Sequence, residues 1–163
     1  MLDIIKPEAM SKKSPYIAEI IKDCRGSYNP HYLGYFKCFG QQLYYEAHDV
    51  LEELWLRDKK SPNYAYYKGL IQAAGAFVHL KLQHEFPDHP VHGQRLHPAA
   101  RLFVLARGNL EGYAPKHMGF WVDEFILMLD SYSYRLAHSN FRQNPYDPAN
   151  PPPITMPEDK GLL

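Results

Sequence analysis

Apolar residues recur with a helical period along most of the chain. At about 100° per residue, Leu43, Ala47, Val50, Leu51 and Leu54 share one face of a helix predicted from about Tyr35 to Arg57. Tyr44, His48, Glu52 and Trp55 form a neighbouring stripe, and only Gln42, Glu46, Asp49, Glu53 and Arg57 lie on a solvent-like side. A helix with contacts on two sides is central to its domain. A second helix, from about Asn63 to Gln83, is apolar or aromatic nearly all round, at Tyr67, Leu70, Ile71, Ala74, Phe77 and Val78. Such a helix is buried. Its narrow polar line is Lys68, Gln72 and His79, with Gly75 and Ala76 beside it.

Buried polar groups need partners, at a cost of about 1–3 kcal/mol each when left without. A hairpin turning near Lys60 would set His48 opposite Gln72, Glu52 opposite Lys68 and His79 near Gln41. The small Gly75 and Ala76 would allow close approach there.

The rest of the pattern adds two helices and two unlike ends. One runs from about Pro98 to Leu110 on a stripe of Ala99, Leu102, Phe103, Ala106 and Leu110, and another from about Phe120 to His138. Trp121, Phe125, Leu129 and Tyr132 read as core on the latter; an exposed aromatic face there would make a homodimer. "SPYIAEIIKDC" fits a short helix after Ser14 with Pro15 at its first position. "HEFPDHPVHGQRLH" is a loop broken by Pro87, Pro90 and Gly93, and "YAPKHMG" is a turn. From Asn144 onward six prolines demand an extended arm, on which Ile154 and Met156 are the apolar residues expected to dock. The expectation is one all-α domain over 1–163: an N-terminal segment at 1–30, an antiparallel bundle core at 35–139 with about four main helices, and a proline-rich tail at 144–163.

Composition narrows the function classes. Lys plus Arg and Asp plus Glu balance at 18 each, so no surplus charge points to nucleic acid or an anionic membrane. No apolar run reaches membrane-span length. The start "MLDIIKPEAMSKKSP" carries Asp3 and Glu8 and lacks the long apolar run of a secretory signal. Cys24 and Cys38 form neither a CxxC pair nor a disulfide framework. A cytoplasmic location follows as the expectation. The 13 tyrosines suit a core whose hydroxyls serve buried polar partners.

"EAHDVLEELW" followed by "YKGLIQAAGAFVHL" resembles the signature of domain-of-unknown-function family 309, H-x-x-x-E-x-x-W, then G-L-I-Q-x-A, then a histidine two turns on. The matching residues are His48, Glu52, Trp55, Gly69, Leu70, Ile71, Gln72, Ala74 and His79. The resemblance is specific across residues 35–80. It implies a small all-α bundle and no assigned activity. Where many relatives have a short Gly-Asn turn after the second helix, this chain inserts "QHEFPDHPVHGQ", a rim particular to it.

Three readings of the His48, Glu52, Lys68, Gln72, His79 seam stay open. It is a hydrogen-bond network fixing helix register. It borders a small-molecule pocket walled by Tyr44, Tyr45, Trp55 and Tyr67. Or it holds a metal through His48, Glu52 and His79, although a ligand two turns away fits poorly and the ferritin-like Glu-x-x-His repeat is missing. His89 and His92 have ligand-like spacing in the 84–97 loop, without a cysteine. No nucleophile elbow and no glycine-rich phosphate loop is present. The leading expectation is a non-enzymatic binding or scaffold protein without a cofactor. The runner-up is a metal-dependent or acid/base, hydrolase-like enzyme using His48, Glu52 and His79.

Overall fold

The helix period accounts for nearly all of the architecture, but the long first helix is interrupted. A computed structural model describes residues 15–159. Residues 15–21 form α1. Then come α2 (Pro30–Gly40), α3 (Tyr44–Arg57), α4 (Tyr64–Glu85), α5 (Leu96–Leu110) and α6 (Val122–His138). Between α5 and α6 lie a 3-10 turn, Glu111–Tyr113, and an antiparallel hairpin of β1 (Lys116–His117) and β2 (Phe120–Trp121). The readings of the start "MLDIIKPEAMSKKSP", the Ser14 cap and the last four residues fall outside the described residues.

The expected Tyr35–Arg57 helix is two helices because the chain caps and restarts at "GQQL". Gln42 sits in the left-handed region at φ 61°. Its N–H donates to Phe39 O, and the Leu43 N–H donates to Cys38 O at 2.9 Å. That pair of bonds is a Schellman cap, which usually has glycine at the left-handed position. Here glutamine occupies it, two residues after Gly40, so the stop signal was masked. α2 begins cleanly, with Pro30 in the first turn and Asn29 Oδ1 accepting from the His31 N–H at 2.8 Å.

The β hairpin stands where the sequence pattern predicts a plain turn. Its strands are two residues long, too short for alternation to register. Met118 (φ 46°) and Gly119 (φ 75°) make the two-residue connection, whose left-handed pair matches strand twist. Gly119 is doubly required, since a Cβ there would lie 2.3 Å from Glu158 O.

Consecutive helices pack on one another from α2 through α6. α4 is buried almost all round, as its composition demanded. Its closest approach is to α5: a Cβ on Gly69 would fall 2.7 Å from Leu110 Cγ and 3.1 Å from Ala106 O. On α6, Phe125, Leu129 and Tyr132 are core as expected, whereas Trp121 beside it is 41% exposed. No helix among the described residues is long and apolar enough to cross a membrane.

After α6 the described residues 144–159 contain no helix or strand. Asn144 Nδ2 donates to Leu80 O at 2.8 Å, Gln42 Nε2 to Pro148 O at 3.2 Å, and the Tyr146 hydroxyl to Gln42 Oε1. Tyr146 is buried here, as are Pro145, Pro152 and Pro157. Of the two apolar residues expected to dock, Ile154 packs partly buried on the core. Met156 is 51% exposed, a correction: the extended arm turns Pro152 and Pro157 inward, and this side chain faces outward.

Candidate functional site

On α3 the helix places His48, Asp49 and Glu52 within one turn, each 5% exposed or less. His48 Nδ1 donates to Asp49 Oδ1 at 3.0 Å, and His48 Nε2 lies 3.6 Å from Glu52 Oε2. Nε2 is buried and has no hydrogen-bond partner of normal length. The imidazole therefore stands between two buried carboxylates. Asp49 is a correction: periodicity put it on the solvent side, yet it orients the histidine. Only its adjacency to His48 could have signalled that. A turn further on, Trp55 stacks on Tyr64 with ring centroids 5.1 Å apart, and its Nε1 is buried without a partner.

The polar line of α4 lies on a different side from the one expected. The hairpin level is as reasoned: Trp55 stacks on Tyr64, Tyr44 on Phe77, and Lys81 Nζ reaches Gln42 O at 2.8 Å, each pair nearly equidistant from Lys60. The rotation differs. Gln72 Oε1 accepts from Asn109 Nδ2 of α5 at 2.7 Å, not from His48. His79 Nδ1 accepts from Arg95 Nη1 at 2.9 Å, not from Gln41. Lys68 makes no ion pair or hydrogen bond among the described residues, so the Glu52–Lys68 pair does not form. The physical reason is that α4 has neighbours on both sides and gives α3 its aromatic face. A two-helix count cannot resolve that choice. Among the described residues no three His, Cys, Asp or Glu side chains are placed to hold a metal, and His79 is apart from His48 and Glu52.

His79 belongs instead to a relay that reaches the histidine-rich loop. An arginine only donates, so the two imidazoles that Arg95 meets must accept. Arg95 Nη1 donates to His79 Nδ1; Arg95 Nε, at 3.1 Å, and Nη2, at 2.6 Å, donate to His92 Nδ1. His89 Nδ1 accepts from the Val91 and His92 N–H groups, both at 3.0 Å. The loop histidines thus spend their Nδ1 lone pairs on folding the loop. Burial, then the Arg95 guanidinium, pushes His79 down to about 4. Gly93 closes the loop so tightly that a Cβ would meet Pro87 O at 2.3 Å.

The thiols carry no sign of nucleophilic activation. Burial raises both, Cys38 to about 11 with Glu46 adding to the effect. Burial, followed by Glu46 and Asp49, likewise raises the Tyr16 phenol.

A cleft of about 340 Å³ opens between the start of α3 and the end of α4. Leu43, Tyr44, Tyr45 and Glu46 form one wall, and Val78, Lys81, Leu82 and Glu85 the other. Of the four aromatics expected to wall a pocket, Tyr44 and Tyr45 do so. Trp55 is occupied by Tyr64, and Tyr67 lies against Tyr32 and Tyr66. Tyr45 stacks on His48 with centroids 6.3 Å apart, which joins the cleft wall to the buried imidazole. Sequence reasoning missed Val78, Lys81, Leu82 and Glu85, because helix pairing, not composition, brings them there.

Comparison with known proteins gives one match. Residues 32–85 match the model of DUF309, a domain of unknown function. No curated protein and no solved structure matches the chain. The matched span ends with α4 and contains both cleft walls together with His48, Glu52, Trp55, Lys68, Gln72 and His79. Over residues 32–85, about a third of its length, this chain is therefore similar to the DUF309 domain.

Proposed function

We propose that this is a non-enzymatic binding or scaffold protein of the cytoplasm, acting without a cofactor, whose cleft between α3 and α4 takes a small ligand. The carrying observation is the cleft itself, of about 340 Å³, with mixed apolar and charged walls. That volume lies at the lower end of the range of small-molecule sites. In this reading His48, Asp49 and Glu52 hold the α3 wall in shape from behind, through the Tyr45 ring. Gln72 and His79 serve the α4–α5 side of the same domain. The helices make an antiparallel bundle, and the proline-rich segment is an arm laid over it. The test is a fragment screen by NMR on the whole chain and on Val78→Trp, which fills the cleft. Binders that shift Leu43, Val78 and Leu82 resonances and are lost in the variant support the reading. A screen in which every binder survives Val78→Trp refutes it.

One observation favours a second reading. A carboxylate-oriented imidazole with a second carboxylate at its far nitrogen is an acid/base arrangement. The chemistry would then run through His48 and Glu52, with His79 held away by Arg95. An activity that survives His48→Gln would dismiss it.

A further inference from the structure

We infer that the α3–α4 cleft selects a small organic cation, an amine or guanidine carried on a compact apolar or aromatic body. This rests on the ligand-binding reading above and adds the ligand's charge. The apolar part follows from Leu43, Val78 and Leu82, with the Tyr45 ring half-exposed at the rim and Tyr44 at the floor. Tyr44 is buried and its hydroxyl, although beside Tyr146, has no hydrogen bond of normal geometry.

The charge follows from three facts. Each wall contributes one carboxylate, Glu46 and Glu85. Among the described residues the walls have one cationic side chain, Lys81, whose ammonium donates to Gln42 O at 2.8 Å, so two carboxylates face a single ammonium. Finally, Glu85 is the last residue of α4, where the unsatisfied carbonyls already make the helix end negative. A carboxylate at that end opposes the helix dipole. Local rules broken in this way mark positions kept for a partner. Glu46 differs: it lies in the first turn of α3, where the dipole welcomes it. A cation in the cleft would meet Glu85, the α4 carbonyl end and a tyrosine face together.

The experiment compares three probes of one shape on the full-length protein: phenethylamine, 2-phenylethanol and 3-phenylpropionate. Chemical-shift titration of Leu43, Val78 and Leu82 reads binding in the cleft. The amine is expected to bind tightest and the carboxylate weakest. Glu85→Gln should weaken the amine about twofold to fivefold and leave the alcohol unchanged, as loss of one exposed charge implies. Glu85 is exposed, so an unchanged melting temperature will show that the variant folds. If the alcohol or the carboxylate binds as well as the amine, or Glu85→Gln leaves the amine's affinity intact, the cation assignment is wrong while the cleft remains a binding site. If no probe moves the cleft resonances, the assignment and the binding reading fall together.

Discussion

Acid should destabilise this protein through His79. Its imidazole is 8% exposed and accepts from Arg95, so a proton on Nδ1 would both break that bond and set two cations together. The folded protein holds His79 neutral down to about 4, whereas an unfolded chain titrates it near 6.5. Between those limits the unfolded state binds the proton and the folded state does not. Stability therefore rises with pH through that window, is complete above about 6.5 and is lost as pH falls towards 4. At about 1.4 kcal/mol per pH unit, the loss is about 3 kcal/mol. The assay is urea denaturation at intervals from pH 7.5 to 4, on the natural chain and on His79→Gln, whose amide oxygen can still accept from Arg95. Exposed carboxylates affect both proteins alike, so the difference between the curves isolates His79. That difference should change by about 3 kcal/mol, with its midpoint near pH 5. Parallel curves would refute the reasoning, as would an NMR titration placing His79 at its ordinary value.

Two glycines should respond with opposite signs. Gly69→Ala drives a methyl into Leu110 and the Ala106 carbonyl and should cost about 1–3 kcal/mol by thermal or chemical melting, whatever alanine gains in helix propensity. Gly108→Ala, on exposed helix with nothing within 4 Å, should instead stabilise by about 0.5–1 kcal/mol. Tyr146→Ala empties a buried aromatic site against Tyr44 and Phe77 and should cost about 3 kcal/mol; an unchanged melting temperature would mean the tail does not hold the helices. Gly93→Ala should loosen the histidine loop, seen as faster amide exchange at Val91 and His92 with α3 unaffected.

Helix period made α3, α4, α5 and α6 legible to within two residues at most ends. It also made His48, Glu52 and His79 legible as buried polar residues. What it could not supply is rotation. An equal-step count about Lys60 gave the level of Tyr44 against Phe77, yet the side of α4 that faces α3 depends on α5, which no two-helix argument contains. The break at Gln42 escaped because a glutamine occupies a backbone conformation normally announced by glycine. Asp49 escaped because its burial depends on its bond to His48 rather than on hydropathy. The cleft escaped in half, since its α4 wall lies near the end of an otherwise apolar helix where sequence offers no polar pattern to follow.

Gln42 has one more consequence. Its carbonyl takes Lys81, its amide nitrogen holds Pro148, and its amide oxygen takes the Tyr146 hydroxyl. One residue at the corner between α2 and α3 is thus served by chain that is synthesised about a hundred residues later. On the ribosome, domains form from the amino-terminal side first. The Tyr44 ring would then wait, with its tyrosine neighbour absent, until residue 146 clears the exit tunnel. Emergence of Tyr146 and Pro148, rather than completion of the helices, is the event that closes this corner.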